Sequence, residues 1–296
     1  MKPHHRRLNI SLIGAGKVGS TLAVMLRRSG HTINAVVSLS RQSARACGRL
    51  VSCKNCSDSV SAIPASTTLI IIAVPDNAVQ TVAASLAGLT QLDFSRTQVC
   101  HTSGALTSDV LEPVARRGAR VFSFHPIQTF PRRLSLKDQI YTMQGVTYGI
   151  EGPRHSLRAA KALARTLGGE VIVVPKEAKI LYHSACVLAS NYPIALLGAI
   201  ESLARKFTDK DLKPFRKLVE TSVENAFRTG AGKALTGPIV RGDVETVARH
   251  LEALEDPAMR TLYRSLGVFA LRLAEEERRL TPDQARRLTD LLDQRE

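Results

Sequence analysis

Residues 8–19 contain three glycines, Gly14, Gly16 and Gly19, in the spacing Gly-x-Gly-x-x-Gly. An apolar stretch typical of a β-strand precedes them, and helical periodicity over residues 17–28 begins among them. In this arrangement the first glycine permits a tight turn, the second lets a pyrophosphate approach the backbone, and the third allows the helix to pack on the sheet. Amide groups at the helix N-terminus then hold the phosphates. The pattern predicts a dinucleotide-binding turn formed by Gly14, Ala15, Gly16, Lys17, Val18 and Gly19.

The next predicted strand, residues 33–38, ends without the acidic residue that binds the ribose 2′-hydroxyl in NAD-binding folds. Ser40 and Arg41 follow it, and a hydroxyl beside a guanidinium suits a 2′-phosphate. The segment therefore favours NADP, in its reduced form NADPH, over NAD. A simpler interpretation is that Ser40 only caps the next helix and that Arg41 is solvated. The two interpretations are compatible.

Further candidate residues follow the strand formed by residues 67–75, a continuous apolar run. Ligands of such α/β folds bind at the carboxyl ends of the strands. Val74 and Pro75 end this run and are expected beside the cofactor. Asp76 and Asn77 come next and are either neighbours of the cofactor or helix caps.

Two later strand ends supply candidate substrate-binding residues. Ser103 and Gly104 follow a short strand, and their hydroxyl and close backbone could hold nicotinamide or substrate. His125 follows the strand at 120–124 and begins a segment, 125–131, whose two prolines predict an irregular loop. His125 is either a second proton donor or a packed histidine without a chemical role.

The order of these patterns predicts an α/β protein, with an N-terminal Rossmann domain built on a parallel sheet and an all-α C-terminal domain. Pro175 marks the boundary, which gives domains 1–175 and 176–296. Local patterns also predict a short strand near 50–53 and a helix at 106–117. Helical periodicity in the second half covers residues 177–206, 212–227, 244–254, 258–279 and 282–294. This layout is typical of oxidoreductases, and the substrate is expected between the halves.

The first helix of the second half carries a candidate catalytic pair, Lys179 and His183. On an ideal helix these residues, Cys186 and Ser190 fall within about 60° of one another. Two neighbouring cations lower each other's pKa, which moves a lysine toward a useful general-acid range. The alternative is a partly exposed polar stripe without chemistry.

Three more residues of the second half are candidates for the site. Asn191 could point into the cleft, because Pro193 is expected to kink or restart the helix, or it could cap that restart. Arg241 could clamp a substrate carboxylate, with Asp243 orienting it, since arginine suits bidentate carboxylate binding. A local ion pair within a turn is the alternative.

The charge and the composition indicate which classes of molecule the protein is expected to bind. The net charge is +15, and residues 1–150 hold 17 Lys/Arg against 6 Asp/Glu, so the excess lies on the half with the glycine turn. A positive field there attracts an anionic cofactor and a small anionic substrate. Aromatic residues make up 4% of the chain and there is no Trp, so the composition argues against nucleic-acid binding by stacking.

The cysteines and the apolar runs indicate the cellular compartment of the protein and whether it associates with a membrane. Five cysteines at irregular spacing predict reduced thiols in the cytoplasm. Cys53 and Cys56 form one C-x-x-C without a second pair, so no metal site is expected. The N-terminal segment lacks the apolar core of a signal peptide, and no later run is expected to reach transmembrane length. No membrane association is therefore predicted.

Several motifs together resemble a known group of proteins: LIGAGKVGS, AVPDNAV, CHTSGAL, FHPIQTF, YHSACVLASNY and LTGPIVRGD. They are similar to bacterial Rossmann-like proteins whose C-terminal helical domain was long of unknown function. That group lies in the superfamily of ketopantoate reductases, 3-hydroxyisobutyrate dehydrogenases, pyrroline-carboxylate reductases and deazaflavin-dependent NADP oxidoreductases. The resemblance spans nearly the whole chain and implies a homodimer held by the helical domain.

Some members of the group resemble an alternative type of ketopantoate reductase, which implies NADPH-dependent reduction of a 2-oxo acid. Common ketopantoate reductases use a lysine at the start of the helical domain and an asparagine one turn later. Lys179 matches the lysine, but His183 stands at the second position, and Asn191 is a candidate for the asparagine's role.

The sequence thus predicts an NADP-dependent oxidoreductase acting on a small anionic 2-oxo acid or imine, with ketopantoate as the first candidate. Lys179 or His183 would supply the proton and Asn191 would orient the carbonyl. A protein that binds NADP as a sensor or scaffold without turnover remains an alternative, as does a deazaflavin–NADP oxidoreductase.

Overall fold

Eight strands form one sheet in the structure, a computed structural model that describes residues 7–293. The strands are β1 Asn9–Ile13, β2 Thr32–Val37, β3 Cys56–Ser57, β4 Leu69–Ile72, β5 Gln98–His101, β6 Arg120–Pro126, β7 Thr147–Glu151 and β8 Glu170–Val173. Their order in the sheet is β3-β2-β1-β4-β5-β6-β7-β8. Strands β1 to β6 are parallel, whereas β7 runs antiparallel to β6 and β8 runs parallel to β7.

Six helices accompany the sheet: α1 Lys17–Arg28, α2 Arg41–Val51, α3 Asp76–Ala87, α4 Glu112–Ala115, α5 Leu136–Thr142 and α6 Arg154–Thr166. Six more follow: α7 Lys179–Ala204, α8 Arg216–Thr229, α9 Ala231–Ala234, α10 Val244–Ala253, α11 Pro257–Glu276 and α12 Pro282–Leu292. The predicted fold class, a Rossmann sheet domain followed by helices, is confirmed.

The core of the sheet lies on both of its faces. All four residues of β4 are buried, as a parallel strand covered on both faces requires. Side chains of α1, such as Leu22 and Leu26, belong to the cluster on one side, and side chains of α3, such as Val79 and Leu86, belong to the cluster on the other. Two separate apolar layers therefore fix the sheet whose strand ends carry the candidate site.

The chain divides into two compact units, Met1–Asn191 and Tyr192–Glu296. The division falls within α7, whereas the sequence places the domain boundary just before this helix. The second unit has its own apolar core, which includes Leu251, Leu271 and Leu288 of α10, α11 and α12.

Three local predictions were wrong. His125 and Pro126 belong to β6 and not to a loop, because they pair with β7, a partner that local periodicity does not reveal. The strand predicted near 50–53 is absent there, since α2 continues to the buried Val51 and ends where Ser52 adopts a positive φ.

The helix predicted at 106–117 is a 3₁₀ turn, Ser108–Leu111, followed by α4. Proline is tolerated in the first turn of an α-helix but not in its interior, and Pro113 therefore sets where α4 begins. The short helices α5 and α9 were not predicted.

Helix α7 also departs from two expectations. It continues through Pro193 without a restart, since a proline there deprives only one exposed carbonyl, that of Ala189, of its partner. Among the described residues, 176–204 form one helix long and apolar enough to cross a membrane by length and composition, with a mean hydropathy of 1.4. The expectation that no run reaches that length was wrong. One such helix is by itself weak support for a membrane span.

Gly19→Ala is expected to lower the melting temperature of the ligand-free protein, whereas Gly16→Ala changes it much less. An added Cβ at Gly19 overlaps the Gly14 carbonyl oxygen and comes within 3.1 Å of the Ala73 Cβ. Overpacking of this kind typically costs about 1–3 kcal/mol. At Gly16 the added Cβ meets no residue of 7–293 within 4 Å other than its own chain neighbours. Scanning calorimetry measures both variants, and an unchanged melting temperature for Gly19→Ala would contradict the packing described here.

Candidate functional site

A cavity of about 350 Å³ opens at the carboxyl ends of the parallel strands, within the first unit. The direction of the strand order reverses between β1 and β4, and crevices at such switch points bind ligands in open α/β sheets. Residues at or just beyond the carboxyl ends of four strands and one residue of α7 line the cavity: Val18, Val74, Asp76, Thr102, Ser103, Gly104, His125, Pro126, Gln128, Phe130 and His183.

A larger cavity, of about 490 Å³, lies at the opposite edge of the sheet. Its lining includes Arg96, Arg120 and several hydroxyl side chains at the amino-terminal ends of strands. It contains none of the predicted site residues. We assign the candidate site to the smaller cavity because both strand topology and the titratable side chains converge there.

The glycine turn fits a dinucleotide. Gly14 donates its amide to the Val37 carbonyl oxygen at 2.8 Å, which ties the turn to β2. The missing side chain of Gly16 leaves open space beside the N-terminus of α1. An approaching pyrophosphate therefore meets backbone and helix dipole without steric hindrance. Lys17 donates to the Leu134 carbonyl oxygen at 2.8 Å, so its ammonium is held at the edge of this turn.

The residues expected at the adenosine end have partners of their own. The Ser40 hydroxyl accepts a hydrogen bond from the Ser43 amide at 3.3 Å and caps α2. The Arg41 Nε lies 3.0 Å from an Asp58 carboxylate oxygen, with both side chains largely exposed. The Arg41 hydrogen bond holds the Asp58 pKa below its usual value. Sequence reasoning missed Asp58, because it follows β3, whose place beside β2 was not predicted.

Lys179 is the most unusual residue of the site, since its side chain is only 1% exposed. Its Nζ donates to the Ser123 hydroxyl at 2.7 Å, and that hydroxyl donates to the Ser103 carbonyl oxygen at 3.2 Å. Burial lowers the Lys179 pKa to about 8, while the charge of Glu151 opposes the shift. Lys179 therefore lies beneath the cavity wall and exchanges a proton near neutral pH.

Glu151 is the buried carboxylate of this cluster. It accepts hydrogen bonds from the Ser108 amide at 2.6 Å and the Ser108 hydroxyl at 2.9 Å. It is also the cross-strand partner of Ser123 in the β6–β7 pair, which places both side chains on one face. Sequence reasoning missed Glu151, because only the antiparallel pairing brings it near Lys179.

Three histidines surround Lys179, and two of them are held neutral. His101 is buried, accepts from the Ser103 amide through Nδ1 at 3.2 Å, and therefore donates from Nε2 to the Thr107 carbonyl oxygen at 3.1 Å. Burial lowers its pKa to about 4. Burial, and then the charge of Lys179, also lower the pKa of His125 to about 4.

His183 faces the cavity from α7. Its ring centroid lies 6.0 Å from that of His125, and its Nδ1 is buried without a hydrogen-bond partner among the described residues. Gly104 makes room for this ring, since an added Cβ would lie 2.5 Å from His183 Nδ1. An unpaired imidazole nitrogen at a cavity wall is a natural contact for a ligand.

The helical stripe predicted from the sequence has the expected orientation. Lys179 is buried, and His183, Cys186 and Ser190 are partly buried. Asn191 lies about 12 Å along the helix from His183, on an exposed position, and accepts a hydrogen bond from the Ser190 hydroxyl. The structure thus brings Lys179 and His183 to the cluster and leaves Asn191 outside it.

Arg241 and Asp243 belong to the second unit. Asp243 caps α10 by accepting from the Thr246 amide at 3.1 Å, and the hydrogen bonds of the Thr246 side chain and then of its amide lower the Asp243 pKa. The Arg241 side chain is exposed on the same turn. Across residues 7–293, no three His, Cys, Asp or Glu side chains are grouped as a metal site would need.

Comparison with known proteins identifies two regions. Residues 2–126 match the model of a Rossmann-like domain, and residues 146–268 match that of a domain of unknown function, DUF2520. None of the curated proteins matches the sequence significantly.

Three solved structures illustrate the fold. A candidate NADP oxidoreductase from Bacteroides fragilis is 24% identical, with a TM-score of 0.72 over 89% of this chain and 98% of that one. A protein from Thermotoga maritima is 25% identical, with a TM-score of 0.72 over 91% and 99% of the two chains. A reductive aminase from Aspergillus terreus, solved with NADPH and ethyl-5-oxohexanoate, is 16% identical, with a TM-score of 0.58 over 97% and 93%.

The buried Lys179 is expected to make the folded state more stable as the pH rises from 8 to 10. In this range the unfolded chain keeps a proton on Lys179 that the folded chain has released, because the folded pKa is about 8 and the ordinary value is 10.5. Unfolding then takes up a proton, so stability rises with pH by up to roughly 3 kcal/mol.

Urea unfolding of wild type and Lys179→Met at several pH values measures this effect. Burial keeps the pKa values of His101 and His125 below their ordinary value with or without Lys179, so between pH 7 and 10 the difference in unfolding free energy isolates the contribution of Lys179. We expect the unfolding free energy of wild type to rise relative to that of Lys179→Met as the pH rises. A difference that stays constant from pH 7 to 10 would contradict a lowered Lys179 pKa.

Proposed function

We propose that the protein is an NADP-dependent oxidoreductase that acts on a small anionic 2-oxo acid or imine. One observation carries the proposal: a cavity beside an open glycine turn is lined by His125 and His183 and backed by the buried Lys179. Dinucleotide binding and proton transfer would thus meet at one strand-end crevice. The similar structures include a candidate NADP oxidoreductase and a reductive aminase bound to NADPH, which supports the same class.

The cofactor would supply the hydride, and the residues of the chain would bind the substrate and handle its proton. His183 lies at the cavity wall and Lys179 one helical turn before it, so either can donate the proton that completes reduction. The Lys179 pKa of about 8 suits an acid that works near neutrality. Roles for Asn191 in orienting the carbonyl and for Arg241 and Asp243 in holding the carboxylate stay predictions.

Selection of NADP would depend on Ser40 and Arg41. The Arg41 guanidinium is exposed and is paired only with the exposed Asp58, an interaction worth little in water. A 2′-phosphate carries more charge than one carboxylate and would draw Arg41 away from Asp58. Asp58 therefore reduces the preference for NADPH over NADH, because its carboxylate competes with the 2′-phosphate for the Arg41 guanidinium.

Titration calorimetry should detect tighter binding of NADPH than of NADH. Arg41→Ala should weaken NADPH binding by about tenfold, the cost of one charge-assisted contact, and leave NADH binding unchanged. Arg49→Ala, which removes an exposed arginine at the other end of α2, is the matched control. Oxidation of NADPH is then followed by absorbance with 2-oxo acids including ketopantoate, with cyclic imines, and with a deazaflavin.

The outcomes separate the candidate functions. Loss of nicotinamide absorbance with a 2-oxo acid or imine supports the reductase. Turnover of the deazaflavin alone would favour a deazaflavin–NADP oxidoreductase, and tight binding without turnover would favour a sensor or scaffold. Absence of binding to either dinucleotide would overturn the proposal.

We further propose that the chain forms a homodimer in the cytoplasm. Many large apolar side chains of the helical region are exposed, and apolar surface left open to water in this way is available for an interface. They include Ile180, Leu181, Leu188, Ile194, Leu218, Phe227 and Phe269. A second copy of the chain would cover them symmetrically. All five cysteines are free, which is compatible with a reducing compartment.

Light scattering coupled to size exclusion should give twice the mass of the chain. Ile194→Glu places a charge at a 67% exposed apolar position of α7 and should shift the protein to the monomer at micromolar concentration. Arg154→Glu, at the exposed start of α6, is the control and should remain dimeric. A monomeric wild type would refute the homodimer.

A further inference from the structure

His125 and Tyr182 form a contact that the predicted site did not contain. The Tyr182 hydroxyl lies 2.6 Å from His125 Nδ1, and the two rings meet edge to face with centroids 5.7 Å apart. His125 is the penultimate residue of β6, and Tyr182 lies between Lys179 and His183 in the sequence of α7. The helix that carries the candidate proton donors therefore also fixes the histidine of the strand.

A glycine in the sheet leaves the space that this contact needs. His125 pairs across the β6–β7 ladder with Gly149. A Cβ at Gly149 would overlap the Tyr182 hydroxyl and come within 2.5 Å of its Cζ. Any side chain at this position would displace the Tyr182 ring from His125.

The direction of the hydrogen bond follows from its length and from the two pKa values. Burial, and then the neighbouring Cys186 thiol, raise the Tyr182 pKa well above its ordinary range, so the phenol keeps its proton; its oxygen can accept from the thiol while its O–H donates elsewhere. Burial keeps His125 neutral near pH 7, with a single ring N–H. A separation of 2.6 Å is shorter than N–H···O bonds usually are and fits an O–H donor. Tyr182 therefore donates to Nδ1, and the imidazole proton is on Nε2.

The Nε2 atom faces the cavity. It would lie 3.0 Å from a Cβ added to Gly104, a residue of the cavity wall. Among the described residues no group forms a hydrogen bond with it, so its N–H is available to a ligand. Lys179 lies 5.3 Å above the Tyr182 ring and, with His183 and His101, disfavours a second positive charge on His125.

We propose that Tyr182 is a positioning residue, which fixes His125 as a neutral Nε2–H donor for the oxygen atom of a carbonyl substrate. This inference rests on the proposed reductase function. On reduction the carbonyl carbon gains a hydride from NADPH, its π pair moves to oxygen, and one proton completes the alcohol while NADP⁺ is released. The His125 N–H stabilises the charge that develops on that oxygen. The proton itself comes from Lys179 or His183, and His125 keeps its own.

The tautomer also narrows the substrate class. A carbonyl oxygen offers lone pairs to the Nε2–H of His125, whereas a protonated imine offers an N–H and no lone pair. The Nε2–H of His125 and the N–H of a protonated imine would face each other as two donors without an acceptor, and an unpaired buried donor costs free energy. The site therefore favours carbonyl substrates, among them 2-oxo acids, over iminium substrates.

Nitrogen NMR of the full-length protein tests the tautomer without any substrate. In ¹⁵N-histidine-labelled wild type at pH 7, His125, assigned with His125→Gln, should show a protonated Nε2 and a hydrogen-bonded, unprotonated Nδ1. Tyr182→Phe should change the Nδ1 shift and introduce the second tautomer, and Gly149→Ala should do the same by displacing the Tyr182 ring. Tyr141→Phe, which alters an exposed tyrosine of α5, should leave the His125 signals unchanged.

Kinetics with the best 2-oxo acid test the consequence. Tyr182→Phe should lower kcat by about tenfold to a hundredfold and leave KM within threefold, because the His125 hydrogen bond is strongest once charge has developed on the carbonyl oxygen in the transition state. A protonated Nδ1 in wild type, or identical His125 signals in wild type and Tyr182→Phe, would overturn the proposal even if the protein reduces 2-oxo acids. The expected tautomer combined with faster turnover of imines than of 2-oxo acids would overturn the substrate inference alone.

Discussion

A buried ammonium group, that of Lys179, is the constraint on which the rest of the site depends. Removing a charge from water costs several kcal/mol unless hydrogen bonds and an opposite charge offset it. The Ser123 hydroxyl accepts a hydrogen bond from the Lys179 ammonium, and Glu151 lies opposite Ser123 on the adjacent strand. This arrangement fixes where α7 begins and how it is rotated against the sheet. Tyr182 and His183, one turn further along, take their positions from that rotation.

The reversed strand β7 is the second constraint, and it acts through register. Ser123 pairs with Glu151, and His125, two residues later in β6, pairs with Gly149, two residues earlier in β7. Because side chains alternate between faces, both pairs occupy the same face of the ladder. A slip of one residue would move Glu151 away from the lysine and place a side chain against the Tyr182 ring. One register thus sets both the counter-charge of Lys179 and the orientation of His125.

Local patterns predicted the parts of this site that depend on neighbours in sequence. The glycine turn, the helix from Lys17 to Arg28 and the shared face of Lys179 and His183 follow from spacing alone. Glu151, Asp58 and Tyr182 were missed for a common reason. Each matters because an element distant in sequence lies beside it, namely β6 for Glu151 and Tyr182 and α2 for Asp58.

Burial and the Lys179 charge together explain why one cation occurs beside two neutral imidazoles, those of His101 and His125. Burial, and then the Lys179 charge, lower the pKa of both His101 and His125, so a proton added to this cluster is held by the lysine. The neutral imidazoles then serve as uncharged hydrogen-bond donors of fixed direction. A protonated ring that is free to rotate would not do so. The ammonium lowers the stability of the fold at neutral pH, since its pKa is depressed by burial. A fold under selection for stability alone would replace such a buried charge by an apolar side chain, so its presence beneath a cavity is itself an argument for chemistry.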